Sequence, residues 1–524
     1  MGSNEAYYKT EDEFNETKNE KSMDVWTVTG EMKGEKTYSY EEAINLAGNG
    51  GYTIGLLATL SMTVLAMGCD MFGFSVVVAG LTCDLEVTPG QRGVLMSMPF
   101  LGAIIMSYPW GYISDTKGRH RSLMVAMLGT FLATSLSAFS PHWIMLAVLK
   151  FVSTSCCSCA QSVTYALLGE SASERVRGPY MLTMTGVLML TPSTYFVAGY
   201  FILNFEFSYD LGFIRFVPWR LLVLVLVTPV AISILLLRFF FESPKFLANA
   251  GHEDEAVELL KKIWLRNGGK GEYPVTKLIL NEDKNKRTEK VPFLKSLREQ
   301  TAPLFQRPLL WRTLQLYYLT AIMYSVNNGY LMWYPFIANA FFSGISTATP
   351  DQHGGLCNMV ISSQNVTTVE PEICSPKLEF LTVISSIGHS ISFAIINVLM
   401  SRGASRMKLM MIALLAISGG SGVAIVFTTN NVASLILFIG VMAIGLCIGI
   451  VFSYFNKLYP ASYRGMTACL GVMVARVSSL IGTNILGTYI MQNCYTCFYA
   501  FTVYIFSGLV VAFFLPADRP KKTS

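Results

Sequence analysis

The chain has 524 residues, of which 52% are hydrophobic and only 14% charged, and its formal net charge is +5. That balance is too apolar for a soluble domain of this length and fits a polytopic membrane protein. The excess of bases sits in short loops between apolar stretches, so it is no argument for nucleic acid. The eleven cysteines are mostly scattered through apolar stretches without histidine partners, which argues against a metal or redox centre and, with no other cofactor motif, leaves none expected.

Residues 1–52 are polar, with Glu11, Asp12, Glu13 and Glu16 close to the start, and read as a tail. The first apolar segment is too long for the core of a cleavable signal. Twelve segments, each near the ~20 residues needed to cross ~30 Å of hydrocarbon, are then predicted. Six lie near residues 53–80, 92–113, 122–139, 142–168, 178–204 and 217–240, and six near 311–342, 379–401, 407–427, 432–456, 464–490 and 495–516. The expected organisation is an all-α membrane protein with a six-helix half over 53–241, a charged helical insert over 242–310 and a second half over 311–516. That second half holds a long loop at 343–378, and residues 517–524 form a short tail. Lys117, Arg119, Arg121, Arg175, Arg177, Arg402, Arg406, Lys408, Lys457, Arg464, Arg519, Lys521 and Lys522 fall on one side of the bilayer, whereas Arg92, Arg215 and Lys377 fall on the other. The positive-inside rule then makes both termini cytoplasmic.

Between the second and third segments runs Gly111-Tyr-Ile-Ser-Asp115-Thr-Lys-Gly118-Arg119-His-Arg121. Gly111 and Gly118 allow close approach and a tight turn, and Asp115 can accept from Arg119 or Arg121 or cap the next helix. The run resembles the G-x-x-x-D-x-x-G-R-x-[RK] loop of the major facilitator superfamily. An echo supports the resemblance. An offset of 287 residues carries Glu170 to Lys457 and Arg177 to Arg464, in loops after the fourth and tenth segments, and carries Arg119 to Arg406. The same offset places Arg402 where the second copy would have Asp and Ser405 where it would have Gly. The superfamily's architecture of two six-helix repeats around a midplane cavity is that of a carrier working by alternating access. Gly111, Asp115, Gly118, Arg119, Arg121, Glu170, Arg177 and Arg464 are accordingly expected to form the cytoplasmic gate.

Phe241-Glu-Ser-Pro-Lys-Phe-Leu247, with Gly251 and Ala256 after it, is similar to the segment following the sixth helix in sugar porters and organic ion transporters. Within the insert, Ala256, Val257, Leu259, Leu260, Ile263 and Trp264 form an apolar face at helical spacing. The long external loop between segments seven and eight carries Cys357, Cys374 and the sequon Asn365-Val-Thr367, a placement that resembles the synaptic vesicle glycoprotein 2-like family. Asn328-Gly-Tyr330-Leu-Met-Trp333-Tyr334-Pro335 in segment seven and Arg476 followed by Gly482 and Asn484 in segment eleven are similar to motifs of that family. Asn365 is expected to be glycosylated and Cys357 to pair with Cys374, because the loop faces an oxidising compartment and adjacent helices hold its ends.

Ionisable residues at membrane depth are functional candidates. Asp70 in segment one stands where sugar porters have an acid tied to proton coupling, and Lys150 in segment four stands where the superfamily has Arg. The two could equally form a fixed ion pair that ties helices together. Arg476 is a candidate for an anionic substrate or for helix pairing. Asn327, Asn328, Tyr330, Trp333 and Tyr334 have the chemistry of a cavity wall. His389 reads as a packed, hydrogen-bonded histidine. The expected function is transport of a small organic solute, with a lean to an organic anion or zwitterion, by facilitated diffusion or coupled to H+ or another ion, at the plasma membrane or in an intracellular vesicle. A transport-inactive receptor or vesicle component that keeps the fold is the competing reading, favoured by the decayed second-half motif. No G-x-x-x-x-G-K-[ST] loop supports ATP-driven pumping, and no motif supports an enzyme.

Overall fold

A computed structural model describes residues 37–82, 84–279, 301–307, 309–347, 355–365, 377–402, 406–459, 461–490 and 493–516. Ahead of the membrane bundle come β1 (Thr37–Ser39) and α1 (Tyr40–Ala47). The first half follows as α2 (Gly51–Phe72), α3 (Phe74–Leu81), α4 (Pro89–Lys117), α5 (Arg119–Ser137), α6 (Trp143–Ser171) and α7 (Glu174–Leu203). It ends with the hairpin β2 (Tyr209–Asp210) and β3 (Arg215–Phe216), then α8 (Pro218–Leu226) and α9 (Thr228–Leu237). The insert contributes α10 (Pro244–Asn249), α11 (Glu253–Arg266) and β4 (Lys277–Ile279). The second half is α12 (Leu310–Thr347), α13 (Leu356–Asn365), α14 (Phe380–Arg402), α15 (Met407–Phe427), α16 (Asn431–Met442), α17 (Cys447–Leu458), α18 (Ala461–Tyr489) and α19 (Cys494–Phe513).

Twelve spans result, because α2 with α3 forms span one, α8 with α9 span six, and α16 with α17 span ten. By length and apolarity alone, ten stretches of the described helices suffice to cross a bilayer. The other two spans are α5, which opens on Arg119-His120-Arg121, and α12, whose middle carries Asn327, Asn328 and Gly329. Within the bundle, Thr134 of α5 donates to Asp70 and Asn328 of α12 donates to Ser479, so neighbouring helices satisfy the polar residues of both spans. Spans one to six pack together, as do spans seven to twelve, and the halves meet through α4 with α18, α7 with α14, and α3 with α12.

Glycine sets the closest crossings. A Cβ on Gly482 of α18 would lie 2.3 Å from the Ser325 carbonyl of α12, and one on Gly102 of α4 would lie 2.5 Å from Thr154 Oγ1 of α6. These are small-residue contacts of the kind that hold membrane helices together where lipid offers no hydrophobic drive.

From Thr37 onward the tail is folded. Ser39 and Glu42 form a reciprocal capping box that starts α1, and β1 pairs in parallel with β4 of the insert. Ala43, Ile44 and Ala47 of α1 are buried in one apolar cluster with Ala256, Leu259, Leu260 and Ile263 of α11. Asn267 fixes the join by donating to the carbonyls of Ala47 and Gly48 at 3.1 and 3.0 Å. The amphipathic face expected in the insert is thus covered by a segment that polarity alone makes look like a free tail.

One expected pairing is overturned. Cys357 is bonded to Cys494, with their Cα atoms 5.5 Å apart, and not to Cys374, which lies outside the described residues. The chain turns back after α12 into α13, which is seated on the start of α19. There Tyr495 donates to Asn358 Oδ1 at 2.7 Å, and a Cβ on Gly355 would lie 2.1 Å from the Thr428 carbonyl after α15. The loop's own ends therefore do not face each other across a disulfide. The bond ties α13, the loop helix after span seven, to the start of span twelve within one half, so it leaves the halves free to move against each other.

Candidate functional site

Span one brings an acid to the interior of the first half. Asp70 is buried, and its Oδ1 lies 2.8 Å from Lys150 Nζ on span four. Thr134 Oγ1 donates to Asp70 Oδ1 at 2.7 Å, and Ser153 Oγ contacts both carboxylate oxygens at 3.0 Å. Lys150 also donates to the Asp70 backbone carbonyl. A cavity of ≈ 20 Å³, room for about one water, adjoins the pair and is lined by Phe74, Thr134 and Val223 among others. These lining residues come from spans one, three, four and six, so Asp70 and Lys150 face the core of the first half.

One residue further on, the helix turns Met71 toward the second half. Arg476 of α18 is buried, and among the described residues its one hydrogen-bond-range contact is from Nη1 to Met71 Sδ at 3.1 Å. A thioether is a weak, neutral acceptor. Tyr324 and Cys157 lie near enough to interact with the guanidinium, and Tyr165 in turn neighbours Tyr324. Span one breaks at Gly73 between α2 and α3, so Asp70, Met71 and the break occupy a single turn between the two charged centres.

The cavity-wall candidates on α12 divide. Asn328 donates to Ser479 Oγ on α18 at 2.8 Å and accepts from Asn327 at 3.0 Å, one turn from Arg476. Asn327 itself abuts span ten, where a Cβ on Gly445 would lie 2.3 Å from its Oδ1. Tyr330 does not line a cavity. It is fully buried within its own half, against Phe438, Phe498 and Phe501. Trp333 donates to the Thr483 carbonyl at 2.9 Å, and its ring fills the notch at Gly487. Tyr334 donates to Ser385 at 2.8 Å and meets Phe196 of the first half edge-on at 5.4 Å. Trp333 and Tyr334 therefore serve helix packing and closure of one face, and the aromatic residue next to Arg476 is Tyr324. His389 packs 4.1 Å from Phe393, and its Nε2 has no hydrogen-bond partner among the described residues.

The loop motif assembles as a network within the first half. Arg119 lies 3.0 Å from Asp115 and 3.0 Å from Glu170. Ser243 donates to Glu170, and the Glu242 carboxylate accepts the backbone N–H groups of His120 and Arg121 at 2.8 and 3.2 Å. Gly118 is required twice over. Its φ is +106°, and a Cβ would lie 2.3 Å from Glu242 Oε2. Arg177 pairs with Glu41 of α1 at 2.8 Å, while Tyr40 donates to the Glu170 carbonyl. Burial, and then the nearby Glu170 carboxylate, push the Tyr40 hydroxyl well above its ordinary range, so it remains a donor. Of the two bases open to Asp115, the structure selects Arg119. Arg464 lies at the start of α18, and its side chain lies outside the described residues.

Contacts between the halves concentrate on the face away from this motif. They include Phe196 with Tyr334, Tyr200 with Phe380 at 5.7 Å, Asn484 with Ser97 at 2.5 Å, and Lys377 with Glu206 at 2.6 Å. On the motif face Tyr112 is 58% exposed, and a Cβ on Gly111 would meet nothing within 4 Å. Among the described residues, the side-chain contacts between the halves named above thus lie on the face opposite the motif.

A family model described as Major Facilitator Superfamily matches residues 59–483. The chain belongs to the major facilitator superfamily. Among curated relatives, it is 25% identical over 503 residues to Synaptic vesicle 2-related protein of Pongo abelii, covering 92% of this chain and 82% of that one. It is 23% identical over 461 residues to Organic cation/carnitine transporter 7 of Arabidopsis thaliana, covering 86% and 88% respectively. Among solved structures, a D-xylose-proton symporter superposes with a TM-score of 0.59 at 12% identity, covering 90% of this chain and 99% of that one. The partially occluded inward-open xylose transporter XylE from E. coli gives 0.60 at 16%, covering 89% and 100%.

As a major facilitator, the protein is a multi-pass membrane carrier of small solutes that works by alternating access, and not an enzyme. Several residues in its network are not evident from sequence patterns. Thr134 and Ser153 are ordinary small polar residues in apolar spans, and nothing in the sequence ties them to Asp70. Met71 and Tyr324 look like packing residues. Glu242 and Ser243 do carry a signal, since they stand in the segment that resembles the one after helix six of sugar porters, yet spacing alone does not show that they complete the Arg119 network. Tyr40 and Glu41 carry no signal in a stretch that reads as tail.

Proposed function

We propose that this carrier moves a small organic anion or zwitterion and that Arg476 is the group that binds its negative charge. The observation that supports this most is the contrast between the two buried centres. Lys150 has a carboxylate partner at 2.8 Å, whereas Arg476 has only the Met71 thioether among the described residues. An uncompensated buried charge is costly, and a planar guanidinium matches a carboxylate through two parallel bonds that lysine cannot reproduce. Asp70, bonded to Lys150 at 2.8 Å, is proposed to compensate that lysine, which leaves Arg476 to the solute. Proteoliposomes offered labelled solutes of each charge class test the reading. Arg476-dependent uptake of an anion or zwitterion is expected, and uptake of a permanent cation indifferent to Arg476→Lys would contradict it.

The proposed topology puts the motif face in the cytoplasm and the Cys357–Cys494 bond in an oxidising compartment, where disulfides persist. Asn365, at the end of α13, then faces the glycosylation machinery. Endoglycosidase should shift the wild type but not Asn365→Gln on a gel. An unshifted wild type from glycosylating cells would count against this orientation.

The exposed surface around Gly111 and Asp115 is proposed to receive the second half when the opposite face opens. Asp115, whose side chain is 68% exposed here, would then accept charge-assisted hydrogen bonds from the second half in addition to its pairing with Arg119. Asp115→Asn should shift the population toward the conformer seen here and raise labelling, from the motif side, of cysteines introduced beside Arg476 by a few-fold, with surface expression unchanged. Unaltered labelling would reduce the motif to a topology signal.

A further inference from the structure

Within the interiors of the twelve spans the sequence places three charged side chains, Asp70, Lys150 and Arg476; the other acids and bases fall at span ends or in loops. Asp70 and Lys150 are joined at 2.8 Å and cancel. At the face opposite the motif, Asp84 and Arg220 also pair, at 3.3 Å, with Trp219 donating to Asp84 at 3.0 Å. Among the described residues His389 has no carboxylate beside it, its ring being packed by Phe393 and Tyr334. Among the described residues the span interiors therefore hold one positive charge without a counter-charge, that of Arg476, beside a thioether and near Tyr324.

Resting on the assignment of Arg476 as the anion-binding group, we propose that the carrier is built for a solute bearing one net negative charge and that this charge makes the loaded interior neutral. A dianion would leave one negative charge without a described cationic partner in the span interiors. A zwitterion would leave the interior positive and bring an ammonium to a place whose one acid is already bonded to Lys150, Thr134 and Ser153. Both cost more than the monoanion in a low-dielectric interior. A consequence follows for transport under voltage. The loaded carrier reorients without moving net charge through the membrane field, and the empty carrier returns with one positive charge.

The test uses the full-length protein, with benzoate, phthalate, phenylalanine and benzyltrimethylammonium as ring-matched probes of charge −1, −2, zero and +1. Binding is read by thermal shift in wild type, Arg476→Lys and Arg476→Gln. Benzoate is expected to bind at least tenfold more tightly than the other three, with the preference lost in Arg476→Gln. If none of the four binds through Arg476, the anion assignment fails and this proposal with it. If phthalate or phenylalanine binds through Arg476 as tightly as benzoate, the assignment survives and the single-charge proposal is overturned. In proteoliposomes, exchange of internal for external benzoate, corrected for protein-free vesicles, should be unchanged by a potassium diffusion potential, whereas net benzoate flux should change at least threefold. Voltage-sensitive exchange would mean that a further charge, such as a proton on Asp70, crosses with the solute, and would overturn the one-to-one balance.

Discussion

Replacing Arg476 with glutamine is expected to weaken binding of the transported anion about 100-fold, and replacing it with lysine about tenfold. A hydrogen bond to a charged group contributes about 1.5–3 kcal/mol, and each 1.4 kcal/mol is about tenfold in affinity. Lysine keeps the charge but loses the planar fork, so it retains part of the binding. Glutamine loses both. The fold should tolerate these changes better than a change at Lys150, because among the described residues Arg476 leaves behind only a thioether when it goes. Equilibrium binding in detergent together with a melting curve checks both halves of this expectation. A glutamine variant that binds normally would return Arg476 to a helix-packing role.

The largest effect on stability is expected at Asp70. Asp70→Asn leaves Lys150, with its side chain 3% exposed, as a buried cation without a counter-charge, and breaking one partner of such a pair costs about 3–5 kcal/mol. The double variant Asp70→Asn/Lys150→Met removes both charges and should recover most of that loss. Melting temperatures of the three proteins decide the point. If the pair serves coupling as well as cohesion, net uptake by the well-folded double variant should lose its dependence on pH. An unchanged pH profile would reduce the pair to a tie between spans one and four.

The twelve spans and the loop motif are legible in the sequence because they depend on local quantities: apolar run length, the placement of bases, and glycines at fixed spacing. The Gly118–Arg119–Glu170 arrangement follows from such a motif, and the structure adds that Glu242 sits where a Cβ on Gly118 would be. Long-range choices were not legible. The partner of Cys357 is one of them, since only the folding back of α13 onto the start of α19 selects Cys494 over the expected Cys374. Tyr330 and Trp333 show the same limit, since aromatic residues at helical spacing look alike whether they face a crevice or a neighbouring helix. The rotation of Trp333 is set by Gly487, about 150 residues away, and that of Tyr330 by Phe438, Phe498 and Phe501. The tail from Thr37 to Ala47 was hidden for another reason. Its few apolar residues suffice only because α11 offers a matching face, and neither surface looks like a core when taken alone.

The central claim is that Arg476 binds the negative charge of a solute which this carrier moves across the membrane. It is tested most directly by a solute-library uptake screen in proteoliposomes, run in parallel on wild type and Arg476→Gln with expression and melting temperature matched. The account predicts that the solutes taken up by wild type are organic anions and that their uptake is lost in the variant. Uptake of a neutral sugar or a permanent cation, equal in both proteins, would contradict it.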